Sequence, residues 1–303
     1  MDQEVYSVIS EKMENRHAYL ILSHDNFSVL QALISALDDA RNDIYIHFDK
    51  KVAHLPTLQV ANSQIIILEN RIDVRWGHTN MLEAEFNLLQ SAIRKNPHYT
   101  HYHIISGTHL PLQTKDNLHS FFEKSDISLF MKMETSEKEI DLKLRNFNLF
   151  IKNFASSNAT KKRITQLLWL AMIKTQKWLH IKRHSKSSFV KTSQWCSLTQ
   201  EAVETLIKNQ AKIASKYRWT FCADEFFVAS SIKDYLGAEK ISYIDNMLKC
   251  EFEGTSPKIY TLKDWSELKQ SNFLFARKFS ENHLDIVEKI TSNLIKTEHY
   301  KHG

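Results

Sequence analysis

The chain has 303 residues, 43% of them hydrophobic and 11% aromatic, which is enough for one large domain or two ordinary ones with a real core and sets disorder aside. Its three cysteines, Cys196, Cys222 and Cys250, are odd in number and lack CxxC spacing, so they suggest neither a disulfide framework nor a zinc cluster and fit a reducing compartment. The net charge of +5 is carried by one segment: between Leu142 and Gln200 there are twelve Lys or Arg and no Asp or Glu.

The first residues, MDQEVYSVISEKMENRH, mix acids and bases and contain no apolar core of a signal peptide. AYLILSH (18 to 24) reads as a buried strand, FSVLQALISALDD (27 to 39) as a helix, DIYIHFD (43 to 49) as a second strand ending in Asp49, and SQIIIL (63 to 68) as a third. A helix over 80 to 96, a strand over 101 to 107 and a helix over 115 to 125 follow. This alternation predicts an α/β fold whose mainly parallel sheet carries helices on both faces. Ligands of such sheets bind beyond the carboxyl ends of the strands, which makes His24, Asp49 and Ser106 candidates for a pocket, each of which reads equally well as a cap or turn residue. His101 and His103 alternate on a strand and read as a half-exposed sheet face in preference to a metal-ligand pair.

The second half is more helical. Its basic segment, ITQLLWLAMIKTQKWLHIKRH, sets Leu167, Leu168, Ala171, Ile173 and Trp178 among Lys174, Lys177, Lys182 and Arg183. Two readings are open: a helix lying on an anionic membrane surface, and a core helix with a solvated basic face. Its longest apolar run, LLWLAMI, is far short of the roughly 20 residues that span a bilayer. Thr199 is placed to cap a helix starting at Gln200. WTFCADEFFVASSI then sets Asp224 and Glu225 side by side in an apolar run, with a helix expected from Asp224 to Tyr235. Asp224 reads as its cap, while Glu225 in the first turn reads as a carboxylate able to take a proton from an alcohol nucleophile. FLFARKF places Arg277 and Lys278 in a partly apolar setting suited to phosphate, or to two snorkelling surface cations. The five glycines form neither GxGxxG nor GxxxxGK[ST], which argues against dinucleotide and Walker-type chemistry. No Pro- or Ser-rich linker divides the chain, so one domain is expected, with a nucleotide-binding half over about 17 to 130 and an acceptor and catalytic half over 131 to 303.

Seven blocks in order, AYLILSHDN, DIYIHFDKK, VRWGHTNMLEAEFNLL, HYHIISGTHLPLQT, SQWCSLTQEAV, ADEFFVASSI and PKIYTLKDW with FLFARKF, resemble the core-2/I-branching β-1,6-N-acetylglucosaminyltransferase family, glycosyltransferase family 14, in its shorter bacterial form. The resemblance spans roughly residues 17 to 280. It implies a GT-A-like nucleotide-sugar-binding fold and an inverting transfer from a UDP-sugar to a hydroxyl of a glycan acceptor, with no cofactor and no required metal. It assigns Glu225 as general base, Lys278 and Lys258 to the diphosphate, Asp49 to the nucleotide and Trp195 to the sugar sites, with Arg277 in a supporting place. The family commonly has arginine where Lys258 stands. His24 and Ser106 join Asp49 on the nucleotide side. Asp224 and the acids after the strand near residue 130, namely Glu134, Glu137, Glu139 and Asp141, fall on the acceptor side, with Glu134 taken as their representative.

The absence of any DxD motif agrees with lysines in place of a metal. N-Acetylglucosamine is the expected sugar; UDP-xylose, UDP-glucose and UDP-galactose are the alternatives. The expected setting is a cytoplasmic enzyme of bacterial surface polysaccharide synthesis at the inner face of the cell membrane, acting on a glycan or lipid-linked oligosaccharide. Rival readings are a catalytically inert glycan-binding relative and a nucleic-acid-binding protein; the second is disfavoured because Trp169 and Trp178 form no evident stacking platform.

Overall fold

A computed structural model describes residues 15–254 and 256–302, with side chains as far as residue 297. The N-terminal stretch read above for a signal peptide lies, up to residue 14, outside the described residues. Strands β1 (Arg16–Ser23), β2 (Asn42–Phe48), β3 (Gln64–Ile67), β4 (Tyr99–Ser106), β6 (Ser128–Lys132), β7 (Thr192–Thr199) and β8 (Ile241–Tyr243) form a seven-stranded sheet in the order β3-β2-β1-β4-β7-β6-β8. β1, β2, β3 and β4 run parallel, β7 is antiparallel to both β4 and β6, and β8 is parallel to β6. The mainly parallel α/β sheet expected from the sequence is therefore present.

The centres of β1 and β2, residues 18–22 and 44–46, are apolar without alternation because both of their faces are covered, and they are buried. Helix α1 (Phe27–Ala36) turns Val29, Leu30, Leu33 and Ile34 into the core. Removing a side chain of this kind to alanine destabilises by about 2–5 kcal/mol. α1 stops three residues earlier than its periodicity suggests because two carboxylates after it are used elsewhere. Asp38 accepts hydrogen bonds from the amides of Ala61, Asn62 and Ser63, and Asp39 pairs with Arg41. Helix α2 (Asn80–Lys95) covers β1 and β2, and α3 (Lys115–Phe122) starts at Thr114, whose hydroxyl accepts from the Asn117 amide.

In the second half, the short helix α4 (Glu137–Ile140) runs into a π-helical turn, Asp141–Arg145, before α5 (Ala159–Trp178). α6 (Gln200–Lys208) is capped by Thr199 as its sequence predicts, the hydroxyl accepting from the Ala202 amide. α7 (Gln210–Tyr217) and α8 (Phe227–Leu236) follow, then α9 (Trp265–Gln270) and α10 (Leu284–His302). A small sheet joins β5 (Leu110–Pro111), β12 (Phe275–Ala276) and β9 (Leu248–Lys249), and β10 (Phe252–Glu253) pairs with β11 (Ser256–Pro257). No helix among the described residues is long and apolar enough to cross a membrane.

His101 and His103 depart from expectation. Neither is half-exposed: β4 lies between β1 and β7 under α3, and both imidazoles are buried with His17 and His119. His103 bonds Ser197 Oγ at 2.7 Å and His17 at 3.1 Å, while His119 bonds Asn42 Oδ1 at 2.9 Å. Burial first, and their mutual repulsion second, lower the pKa values of His17 and His103 far below the ordinary range; burial holds His101 and His119 at about 4. No group of three or more His, Cys, Asp or Glu is placed to hold a metal ion among the described residues.

Candidate active site

The carboxyl ends of β1, β2 and β4 bring together residues far apart in sequence. The Asp49 amide bonds Ser23 O and the Gly107 amide bonds Leu22 O, each at 2.9 Å, so the three strand ends form one rim. Gly107 allows this approach: a Cβ there would stand 2.8 Å from Ser23 Oγ. Asp49 is buried and holds Lys51 through both its amide (2.8 Å) and its ammonium (2.6 Å). Ser106 Oγ bonds His109 Nδ1 at 2.7 Å and Thr108 Oγ1 at 3.0 Å. His24 is at the rim but points outward, exposed and 3.5 Å from Asp25.

The small sheet delivers the cations to the same rim. Three residues past β12, the Phe279 amide bonds Thr108 O at 3.1 Å, which sets Lys278 beside the end of β4. The strand itself is only two residues long, so Arg277 and Lys278 follow it. The Arg277 guanidinium lies 5.0 Å over the Trp195 ring, whose edge meets His109 at 5.0 Å. Burial, then the charge of Arg277, keeps His109 neutral. Lys278 and Lys258 are neighbours, the Lys278 amide donating to Lys258 O at 3.2 Å. Their side chains differ: Lys258 is paired with Asp264 (2.7 Å) and Glu251 (3.0 Å), which raise its pKa, whereas Lys278 forms no ion pair among the described residues.

Glu225 closes the other side of the rim, beside the start of β7. The turn that carries it corrects the sequence expectation: Ala223–Glu225 is a 3-10 turn, α8 begins only at Phe227, and Asp224 does not cap it. Cys222, at φ 52°, redirects the chain into that turn, and its amide donates to Gly77 O at 2.9 Å. Gly77 has φ +73°, and a Cβ on it would stand 2.2 Å from the Phe221 ring, so only glycine permits this clamp. A left-handed residue such as Cys222 stores about 1–2 kcal/mol, which the packing of Phe221 and the Gly77 bond offset.

Around Glu225 the charges alternate. Lys143 donates to Glu225 Oε2 and to Glu139 Oε1, each at 2.8 Å, while Lys191 reaches Glu139 at 2.7 Å and Glu225 at 3.8 Å. Lys143 comes from the π-helical turn, a distortion frequent at functional sites. Burial would lower its pKa, but Glu225 and its other neighbours raise it above the usual value. Burial opposes the ionisation of Glu139 too, yet the bonds from Lys143 and Lys191 bring it down to about 2. Asp224 faces inward: burial, then repulsion by Glu225, pushes its pKa up to about 6. Behind it Glu85 of α2 is fully buried, with Oε1 accepting from Gln194 at 2.8 Å and Oε2 unpartnered. Burial and then Asp224 hold Glu85 neutral.

Of the acids on the acceptor side, Glu139 is the one that joins Glu225. Glu134 is exposed and has no ion pair among the described residues, Glu137 pairs with Arg145, and Asp141 pairs with Arg145 and Lys182. Glu85, Lys143, Lys191 and His109 carry no local motif; a strand or turn boundary lies at or next to the last three, and Glu85 lies inside helix α2 with no such signal. The rim thus offers one half-exposed carboxylate held by a lysine on one side and a free ammonium with a second lysine at its back on the other. That is the polarity required by a reaction that removes a proton at one end and releases an anion at the other.

The sequence profile described as Branch: Core-2/I-Branching enzyme matches residues 17–296. No curated protein matches the chain. Since the profile covers nearly all of it, the chain belongs to the core-2/I-branching enzyme family and is a glycosyltransferase acting on glycans, with a fold consistent with the GT-A-like type.

Proposed function

We propose that the chain is an inverting transferase that moves N-acetylglucosamine from its UDP-sugar to an acceptor hydroxyl without a divalent metal, in bacterial surface polysaccharide synthesis. The whole chain acts as one catalytic domain. Glu225 accepts the hydroxyl proton as the acceptor oxygen bonds to the anomeric carbon. The bond from that carbon to the diphosphate breaks on the opposite face, and its electron pair leaves with UDP. Lys278 meets the new charge, and Lys258 joins it by exchanging Glu251 for a phosphate oxygen. Asp49 and Ser106 hold the nucleotide, with His24 at its outer margin, and Trp195 lines the sugar site, backed by Arg277. Lys143 fixes the rotamer of Glu225 until the acceptor enters, and Glu139 stands in for Glu134 on the acceptor side.

The observation that carries this reading is the contrast among three neighbouring acids. Glu225 is half-exposed and cation-held, whereas burial raises the pKa values of Asp224 and Glu85. Only Glu225 combines access with a partner that an arriving hydroxyl can displace. The test is UDP release in EDTA with UDP-N-acetylglucosamine, UDP-glucose, UDP-galactose and UDP-xylose, water serving as a poor acceptor. Release confined to UDP-N-acetylglucosamine supports the donor and the metal-free mechanism. Release from another donor replaces the sugar, and release that needs Mn²⁺ overturns the lysine assignment.

A further inference from the structure

Helix α5 has two apolar faces. The inner one, Thr165, Trp169, Ile173 and Gln176, is buried. Its Trp169 packs on Phe154 at 5.3 Å, and Phe154 packs at 4.8 Å on Phe221, the residue three positions ahead of Asp224. The helix is thereby fastened beside the Glu225 turn. The outer face repeats Ile164, Leu167, Leu168, Ala171 and Trp178 at spacings of a helical stripe, and all five are exposed, Leu167 to 57% and Trp178 to 78%. Single exposed leucines are ordinary, but an apolar stripe over Ile164, Leu167, Leu168 and Ala171, followed two turns on by Trp178, on a helix already anchored by its other face calls for an occupant.

The borders of the stripe identify that occupant. On a 100° helical wheel, Arg163, Lys174 and Lys177 line one edge and Lys161 the other; all are exposed and without an acidic partner among the described residues. The surrounding segment from 142 to 200 contains no acidic residue. A second copy packed on this face would set these cations against their own kind. An anionic bilayer supplies an apolar layer and the counter-charge together, and it seats a terminal tryptophan at its interface. Lys182 and Arg183, which the sequence places with this basic face, do not belong to it: Lys182 is held by Asp141 at 2.6 Å, and Arg183 donates to Lys216 O at 2.9 Å and covers the Phe147 ring.

We propose that the outer face of α5 docks on an anionic membrane surface and turns the Glu225 side of the rim toward acceptors presented there. The acceptor half of this inference rests on the transferase reading; the docking half is measured without turnover. The experiment is co-sedimentation of the full chain with vesicles of phosphatidylcholine alone and with 30% phosphatidylglycerol, at low and high salt. Wild type is expected to bind the anionic vesicles at least tenfold more tightly, less so in high salt. Leu167→Gln with Leu168→Gln, and separately Lys174→Gln with Lys177→Gln, are each expected to lose most of that gain. Their UDP release in vesicle-free solution should stay at the wild-type rate, so loss of docking and loss of catalysis are read apart. Equal binding to both vesicles, or undiminished binding by both variants, would overturn the proposal. A wild-type dimer in solution that the leucine variant makes monomeric, with no vesicle binding, would assign the face to a second copy instead.

Discussion

The two ends of strands β1 and β4 hold titratable clusters of opposite design. At the amino ends His17 and His101, with His103 further along and His119 from α3, are buried, uncharged and packed on one another and on Phe122, with His17 stacked on His119. At the carboxyl ends Glu225, Glu139, Lys143, Lys191 and Lys278 are charged, partly open and drawn from different elements. A dense group of ionisable side chains is therefore not enough to mark a site. Alternating charge at the rim of a parallel sheet is the stronger sign, because fixed opposite charges can be exchanged for those of a substrate, while a neutral cluster can only be disrupted.

Substitutions at the two ends should separate accordingly. Glu225→Gln should lower transfer by about 10²–10⁴-fold with little change in melting temperature, since it deletes the proton acceptor and keeps the shape. Lys278→Ala should lower kcat by about 10²–10³-fold, with part recovered in Lys278→Arg, if its ammonium meets the leaving diphosphate. Lys143→Met should act more mildly, lowering transfer by about tenfold or less, since Glu225 keeps its carboxylate and loses only the ammonium that holds it at 2.8 Å. At the other end, His101→Phe should leave transfer unchanged and alter only stability in acid.

That last effect has a definite sign. A histidine held at about 4, against an ordinary value of 6.5, binds its proton later than the unfolded chain does as the pH falls. Stability is therefore intact above about pH 6.5 and is lost between there and pH 4, at about 1.4 kcal/mol per pH unit for each such group. His17 and His103 extend the loss to lower pH; near His119 Arg41 adds to the loss, and Asp39 and Asp116 oppose it. His101 bonds no other side chain, and the Ser125 backbone opposes its depression only in part, so it is the member whose removal should flatten the curve without breaking a bond between side chains. Melting temperature against pH for wild type and His101→Phe measures the difference directly.

The first half of the fold is legible in the sequence because parallel strands covered on both faces carry unbroken apolar runs, such as YLIL and IYI, and helices between them show one apolar stripe. Helix ends were harder to read: Asp38 and Asp39 shorten α1 through partners more than twenty residues away or across a turn, and the Gly77 clamp delays the start of α8. His101 and His103 lie buried and not half-exposed because a period of two says which face a residue takes and not whether another layer covers it. In the candidate site, the Asp224–Glu225 pair was conspicuous in an apolar run. Lys143 was hidden among twelve like charges, and Glu85 in LEAEFNLL looked like one more polar position of an amphipathic helix. Their roles depend on contacts separated by 82 positions for Lys143 with Glu225 and 109 for Gln194 with Glu85, which no local pattern encodes.

In the proposed single displacement Glu225 stands on the acceptor side and the lysines on the departing side. Proton NMR of the product formed from an α-linked UDP-sugar tests it most directly, through the coupling constant of the new anomeric proton. A β-configured product, absent with Glu225→Gln, is the predicted result; an α-configured product, or a β-configured one formed undiminished by that variant, would contradict it.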